Sequence, residues 1–467
     1  MEAVNYSYKR ILAIALPILV SVLMEQLIGM TDTAYLGRVG EVELGAAALG
    51  GIAYTVVFML GLGFSIGVQI IIGRRNGEGA YTTIGSVFYH GLFFLLLLSL
   101  VLVAFVFFFG DRLMNSLISS PEIACASDVY LTWRMAGIPF AFITLVFRAF
   151  YIGTTNTRTL TLNSLVMVLS NVVFNYVLIF GKFGFPALGI QGAAIGSALA
   201  EIVSFLFFLV YTSRRIDCAK YALNAMPRFR FGILKNVFDL SVWIMIQNFL
   251  SLGTWFIFFL AIEHLGQHDL AATNIIRNVS AFTFMTLVAF GSTISTLVSN
   301  FIGQGNDDSV MPMIHRVMKL TFFILVPVIL LIATFSYNVL NIFTDDAALI
   351  RHAQGALYVL LSSYVFSIPA QLYLHAVSGS GNTKAALAME SVSLLIYTVY
   401  VFVAIFHFRS SLPVCWLSEF VYSIPISSLA FLYAQGLLAE KGGDLTRREV
   451  QKNRPLRLFP VTNRLIC

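Results

Sequence analysis

Two carboxylates interrupt an apolar run near the start of the chain, Glu25 and Asp32 in "ILAIALPILVSVLMEQLIGMTDTAYLG". Seven residues at about 100° each bring both acids to one face of a helix, with Cα atoms about 10 Å apart along its axis. An ionisable group at membrane depth costs at least ~2.5 kcal/mol, so it normally faces a cavity, a partner or a transported ion. Asp32 stands only five residues before Gly37, so solvation at the interface is the competing reading. Gln26 adjoins Glu25. A second polar group lies in "SNVVFNY", where Asn171 and Asn175 are four apart and stack on one face. Asn175 precedes Gly181 by six residues. If the two helices run the same way, Asn175 and Asp32 share a depth. A carboxylate with two amides at one level suits a proton or a sodium ion. The alternative for the amides is hydrogen bonding between helices, about 0.6 kcal/mol per pair in a bilayer.

Other polar residues fall inside apolar runs. Glu201, in "GSALAEIV", is expected mid-span, facing either a cavity or a neighbouring helix. Gln247, Arg277 and Asn278 are candidate cavity or gating residues of the second half. Arg277 either pairs across a cavity or snorkels to the surface. Arg148, one turn from its helix end, is expected to snorkel. Glu390 is expected to be structural or solvated near a helix end, and Glu419 has no assigned role. Pro17 precedes Asp32 by fifteen residues. A proline removes one backbone hydrogen bond and can kink a helix, which offers a way to turn a charge change at Asp32 into a bend.

The elements that position these residues follow from composition. The chain has 467 residues, of which 58% are hydrophobic and 11% charged. A soluble domain carries about 25% charged residues. At ~20 apolar residues per crossing, the length allows roughly twelve transmembrane helices. Apolar runs place them at 11–36, 45–73, 83–109, 129–153, 159–181, 189–212, 236–262, 271–301, 316–343, 350–380, 385–408 and 411–437. Strands are excluded by the length of the runs and by the need to satisfy every backbone group within lipid. Even-numbered connections and the two termini hold 21 of the 29 lysines and arginines. That bias implies a multi-pass cell-membrane protein with both termini in the cytoplasm. It also explains the net charge of +6 without nucleic acid. The first apolar run continues too far for a cleavable leader. The four cysteines show no paired spacing, and no HExxH, Walker or dinucleotide motif is present. A resident cofactor, a catalytic metal and enzymatic activity are therefore not expected.

The chain matches itself at one offset of 226 residues. "GEVELGAAALGGIAYTVVFM" from Gly40 lies over "GQHDLAATNIIRNVSAFTFM" from Gly266. "NGEGA" at Asn76 lies over "IGQGN" at Ile302, and "GTTNTR" at Gly153 over "GSGNTK" at Gly379. The expected fold is an all-α polytopic membrane protein, two six-helix lobes related by a pseudo-two-fold axis along the membrane normal. The lobes are 1–212 and 236–437, joined by a cytoplasmic linker 213–235 and followed by a basic tail 438–467. Such symmetry serves alternating access. The acids do not repeat: Glu25 maps to Ser251, Asp32 to Phe258, Asn171 to Tyr397 and Asn175 to Val401.

At "ALPILVSVLMEQLIGMTDTAYLGRVG", "FRAFYIGTTNTR", "SNVVFNYVLIFG" and "HLGQHDLAATNIIRNVSAF" the sequence resembles the multidrug and toxic compound extrusion (MATE) family, over nearly its whole length. The resemblance implies a V-shaped pair of lobes and export of organic cations or amphipathic compounds in exchange for protons or sodium. It implies that Asp32 and Asn171 bind the coupling ion and that the first helix bends at Pro17. Asn175 stands where several prokaryotic members have a second aspartate, which removes one carboxylate. Ser197 lies near the family's sixth-helix hydroxyl. Ser251 stands where some members carry a seventh-helix glutamate, so a second-lobe cation site of that type is not expected. Arg277 resembles an arginine of the DNA-damage-inducible subgroup, and Glu25 has no assigned counterpart. The expected partners are small molecules and the bilayer, with the chain acting as a monomer. The rival function is a lipid-linked oligosaccharide or lipid flippase of the same superfamily, which would favour a cationic cavity.

Overall fold

A computed structural model describes residues 7–439. Most of the basic tail, from 440 onward, lies outside the described residues. The first lobe is built from α1 (Tyr8–Leu36), α2 (Glu41–Gly77), α3 (Tyr81–Leu117), α4 (Pro121–Gly153), α5 (Arg158–Phe180) and α6 (Gly189–Arg215). The second comprises α7 (Phe231–Glu263), α8 (Gln267–Gly303), α9 (Val310–Thr334), α10 (Ser336–Asn341), α11 (Ala347–Gly379), α12 (Thr383–Phe402), α13 (Leu412–Trp416) and α14 (Ser418–Ala439). Twelve helical segments among the described residues are long and apolar enough to cross a membrane.

The helices run longer than their apolar cores. At 37 residues each, α2, α3 and α8 span about 55 Å, well beyond a hydrocarbon layer of about 30 Å. Polar ends extend them: Glu41 and Glu43 open α2, and Arg74 and Arg75 close it, each sign favourable to the helix dipole. Two expected spans are broken. The run 316–343 stops at Thr334 and resumes as the short α10. The run 411–437 is divided at Leu417, after a turn that Pro413 initiates.

The two lobes repeat one packing pattern. In the first, α1 packs on α5, α2 on α4 and α4 on α6. In the second, α7 packs on α12, α8 on α11 and α11 on α14. Individual hydrogen bonds repeat too. The Thr157 hydroxyl donates to the Ile14 carbonyl at 3.0 Å, and the Thr383 hydroxyl donates to the Leu240 carbonyl at 2.8 Å. Both members of the bond move by 226 residues, which extends the repeat register to the first helix of each lobe.

Between the lobes, α2 meets α7 and α8, and α1 meets α8. A Cβ on Gly77 would strike the Asn300 backbone, and one on Gly303 would strike the Arg74 backbone. Each of these pairs is the other shifted by 226, so a two-fold axis passes between them. Neutral side chains fasten the same region. Asn76 donates to Asn300 Oδ1 at 2.6 Å, and Gln69 donates to Thr296 Oγ1 at 2.9 Å. These contacts lie at the end of the bundle that carries the 216–230 connection. That connection rests on α3, where Tyr89 donates to the Leu223 carbonyl at 2.7 Å and the Arg230 amide donates to His90 Nε2 at 2.8 Å. Among the described residues, the hydrogen bonds joining α1–α6 to α7–α14 all lie in the half of the bundle nearer this linker end.

Candidate functional site

Local sequence brings α1, α5 and α6 close enough to share polar groups. Pro17 has no N–H, so the Ala13 carbonyl lacks its helical donor. The hydroxyl of Thr157, the residue capping α5, reaches that carbonyl at 3.3 Å, and Thr161 of α5 reaches the Pro17 carbonyl at 3.2 Å. The freed backbone of α1 is thus tied to α5. Glycines let α6 approach α5: a Cβ on Gly192 would lie 2.6 Å from the Leu178 backbone, and one on Gly196 would strike Asn175 Oδ1.

In this setting Asp32 meets the residues that share its depth. Asn175 donates to Oδ1 at 2.5 Å and Ser197 donates to Oδ2 at 3.1 Å. Asn171 donates to the Ser197 hydroxyl at 3.0 Å, and Asn175 also approaches Asn171 Oδ1 at 3.3 Å. Asn171 and Asn175 are fully buried. The remaining amide oxygen, Asn175 Oδ1, is buried without a hydrogen-bond donor. Three donors are therefore directed at the acid or its neighbour, and one acceptor beside it is unspent. That arrangement can hold an ionised carboxylate, and it leaves oxygen atoms for a proton or small cation.

Glu25 and Glu201, the other two candidate acids of this lobe, are neutralised. Glu25 shares the face of Asp32, as its spacing requires, but it forms an ion pair with Arg148 of α4. Ser21 joins it at 3.4 Å and Ser164 of α5 at 2.6 Å, so the pair continues into a hydroxyl chain. Arg148 therefore points inward rather than snorkelling, because the carboxylate on the adjacent helix outweighs the short distance to the surface. Glu201 is buried and takes the interhelical alternative. Arg134 of α4 donates to its Oε1 at 3.0 Å, and the Tyr54 hydroxyl of α2 donates to the same oxygen at 2.6 Å. The guanidinium also lies 3.9 Å from the centre of the Tyr54 ring, and it is within electrostatic reach of Asp32. With both arginines engaged, Asp32 is the acid held by neutral donors alone.

Sequence reasoning missed Arg134 and Tyr54. The match between Arg134 and Glu201 appears only once the true start of α4 is known, eight residues before the expected span. Glu201 lies twelve residues from the start of α6, and Arg134 lies thirteen from the start of α4. Both helices start at the same side, so the ions share a depth. Tyr54 left no comparable trace.

The remaining candidates do not join this cluster. Gln26 is exposed, as are Arg277 and Asn278 on α8. The Arg277 guanidinium stands 5.4 Å from the Phe259 ring centre, and no carboxylate among the described residues pairs with it. Gln247 is buried on α7 in the other lobe. There, the position matching Asp32 is filled by Phe258, whose ring meets Trp416 edge-on at 5.3 Å and Tyr397 at 6.3 Å.

Comparison with known proteins is consistent with this architecture. The family profile MatE matches the chain twice, over residues 17–177 and 244–403. The chain is 25% identical over 456 residues to a protein from Thermotoga maritima named probable multidrug resistance protein NorM, covering 97% of each. It is 27% identical over 304 residues to multidrug resistance protein MdtK of Photorhabdus laumondii, covering 63% of this chain and 65% of that one. Among solved structures, a MATE-family transporter of the MOP superfamily in an outward-facing conformation superposes with a TM-score of 0.85 at 17% identity, over 92% of this chain and 96% of that one. The eukaryotic MATE transporter AtDTX14 superposes at 0.82 and 18% identity, over 91% and 95%. The chain belongs to the MatE family.

Proposed function

We propose that this MatE-family chain is a secondary antiporter of the cell membrane. It exports organic cations or amphipathic drugs and metabolites in exchange for protons or sodium. The coupling ion binds in the first lobe at Asp32, with Asn171, Asn175 and Ser197 around it. The carrying observation is that Asp32 lacks a cation partner while Glu25 and Glu201 each have one. An unpaired acid at membrane depth is suited to bind and release an ion. The names of the relatives support the export of drugs.

The lysine and arginine distribution supports a cytoplasmic position for the linker end. With the lobes joined there, this arrangement is the outward-facing stage of the cycle. Ion binding at Asp32 changes the donor balance around α1, and the bend point at Pro17 converts that change into a movement of the helix. The chain acts as a monomer, since one copy contains both lobes of the pathway.

The test is efflux of a cationic dye from proteoliposomes under an imposed proton or sodium gradient. One charge-assisted hydrogen-bond set corresponds to about 1.5–3 kcal/mol, or roughly tenfold to a hundredfold in an equilibrium. Asp32→Asn is expected to lower gradient-driven efflux by that factor while leaving dye binding in place. Full efflux in that variant, or wild-type efflux indifferent to both gradients, overturns the reading.

A further inference from the structure

The repeat register places three polar positions of the first lobe over three of the second. Ser21, Glu25 and Ser164 map to Gln247, Ser251 and Glu390, each by 226 residues. In the first lobe these residues form one chain, from Glu25 through Ser21 to Ser164. In the second they form one cluster, in which Ser251 donates to Glu390 Oε1 and the Gln247 amide lies against the same carboxyl. Each lobe thus keeps one acid in the same three-residue cluster, but on a different helix. In the first lobe it comes from α1. In the second it comes from α12, the counterpart of α5.

The exchange of helices changes the acid's surroundings. Glu25 has Arg148 as its counterion, whereas Glu390 has no ion-pair partner among the described residues. Glu390 is 3% exposed and Gln247 is 8% exposed. Glu390 Oε2 and Gln247 Oε1 are both buried acceptors without a donor. Leaving two such oxygens unsatisfied costs several kcal/mol. A proton on the Glu390 carboxyl turns one of these acceptors into a donor.

The groups facing Glu390 can be named from each helix packed on α12. From α7 come Gln247 and Ser251. From α14 comes Tyr422, whose hydroxyl donates to Oε1 at 3.2 Å, with Glu419 nearby. From α11 comes Gln371, beside Tyr422. On α12 itself, Tyr397 meets the Tyr422 ring edge-on at 6.4 Å, and Lys384 is turned onto Trp243. The titratable groups facing Glu390 are Glu419 and the two tyrosines, and the one lysine named, Lys384, lies over the Trp243 ring instead.

We propose that Glu390 is a second exchangeable-proton site, in the lobe opposite Asp32, with Gln247, Ser251 and Tyr422 as its hydrogen-bonding shell. Its place in a transport cycle rests on the antiport reading, but the protonation itself is measurable without transport.

The test is infrared difference spectroscopy of the full-length protein in nanodiscs, stepped between acid and alkaline pH in potassium buffer. A carboxyl carbonyl band is expected to appear on the acid side, to be lost completely in Glu390→Gln, and to persist in Asp32→Asn. Should Glu390→Gln fail to fold, Tyr422→Phe is the second variant. It removes one donor from the carboxyl and is expected to shift the frequency of the same band. Spectra in which no pH-dependent band responds to either variant overturn the proposal, because Glu390 is then a static structural group. A band abolished by sodium at fixed pH also overturns it, in favour of a metal-cation site. If wild-type transport ignores imposed gradients, the antiport reading fails while the band survives.

Discussion

The two lobes share a fold and differ in what they bury. The first holds two carboxylate–arginine pairs, Glu25 with Arg148 and Glu201 with Arg134, and beside them Asp32 with its neutral donors. The matching interior of the second is aromatic, with Phe258, Tyr397 and Trp416 where the first has Asp32 and its amides. Backbone contacts such as Thr157 to Ile14 and Thr383 to Leu240 survive in both. The repeat therefore preserves helix packing, and polar chemistry has been redistributed within that frame. Buried carboxylate–arginine pairs of this kind are not a requirement of the lobe, since Glu390 is buried in the second without one among the described residues.

The sharpest way to break this comparison is to strand a charge. Arg134→Gln leaves Glu201 buried without its cation and is expected to cost about 3–5 kcal/mol, read as a lower thermal midpoint of the purified protein. The double variant Arg134→Gln with Glu201→Gln should lose less than the sum of the single changes. Arg148→Gln should cost less than Arg134→Gln, because a third of the Glu25 side chain is exposed. In the second lobe Glu390→Gln strands no cation, and its cost should stay near 1 kcal/mol. Equal losses in the two lobes would remove the distinction between them.

A smaller effect separates the close-packed glycines. Gly196→Ala pushes into Asn175 Oδ1 and is expected to destabilise by about 1–3 kcal/mol. It should also weaken the Asp32 cluster, seen as reduced coupling in the efflux assay. Gly253, inside α7, has open space where a Cβ would stand. There an alanine should stabilise by about 0.5–1 kcal/mol through helix propensity. The smallest difference concerns the matched threonines. Thr157→Val and Thr383→Val each remove one interhelical hydrogen bond, about 0.6 kcal/mol on average in a bilayer. Thr157→Val should cost about 0.5 kcal/mol more, because it also strips the Ala13 carbonyl that Pro17 leaves free. Matching losses in thermal unfolding would show that this carbonyl needs no donor.

Much of this was legible from residues alone. Twelve spans followed from apolar length, and the offset of 226 carried the two-lobe symmetry. Equal depth was enough to bring Asp32 to Asn175. What escaped depended on helix rotation, which a one-sided polar pattern does not fix. Arg148 lay close enough to a helix end to be read as reaching water, yet its rotation aims it at Glu25. Glu390 was placed near a helix end and read as structural or solvated, but α7 and α14 cover it. Arg134 falls only five residues inside the expected span 129–153, but α4 begins at Pro121, eight residues earlier, so Arg134 stands thirteen residues into the helix. The breaks at Phe335 and Leu417 left no periodic signal, since apolar residues continue across both.

The glycine clasp between α2 and α8 has a consequence for how the lobes part. The inter-lobe hydrogen bonds at Gln69, Asn76 and Asn300 are made by amides, hydroxyls and carbonyls, and Gly77 and Gly303 bring bare main chain together. Salt screens interactions between charges over a length of about 10 Å at 0.1 M, and it has little purchase on these bonds between neutral dipoles. The stability lost in Asn76→Ala should therefore be the same in dilute and in concentrated buffer.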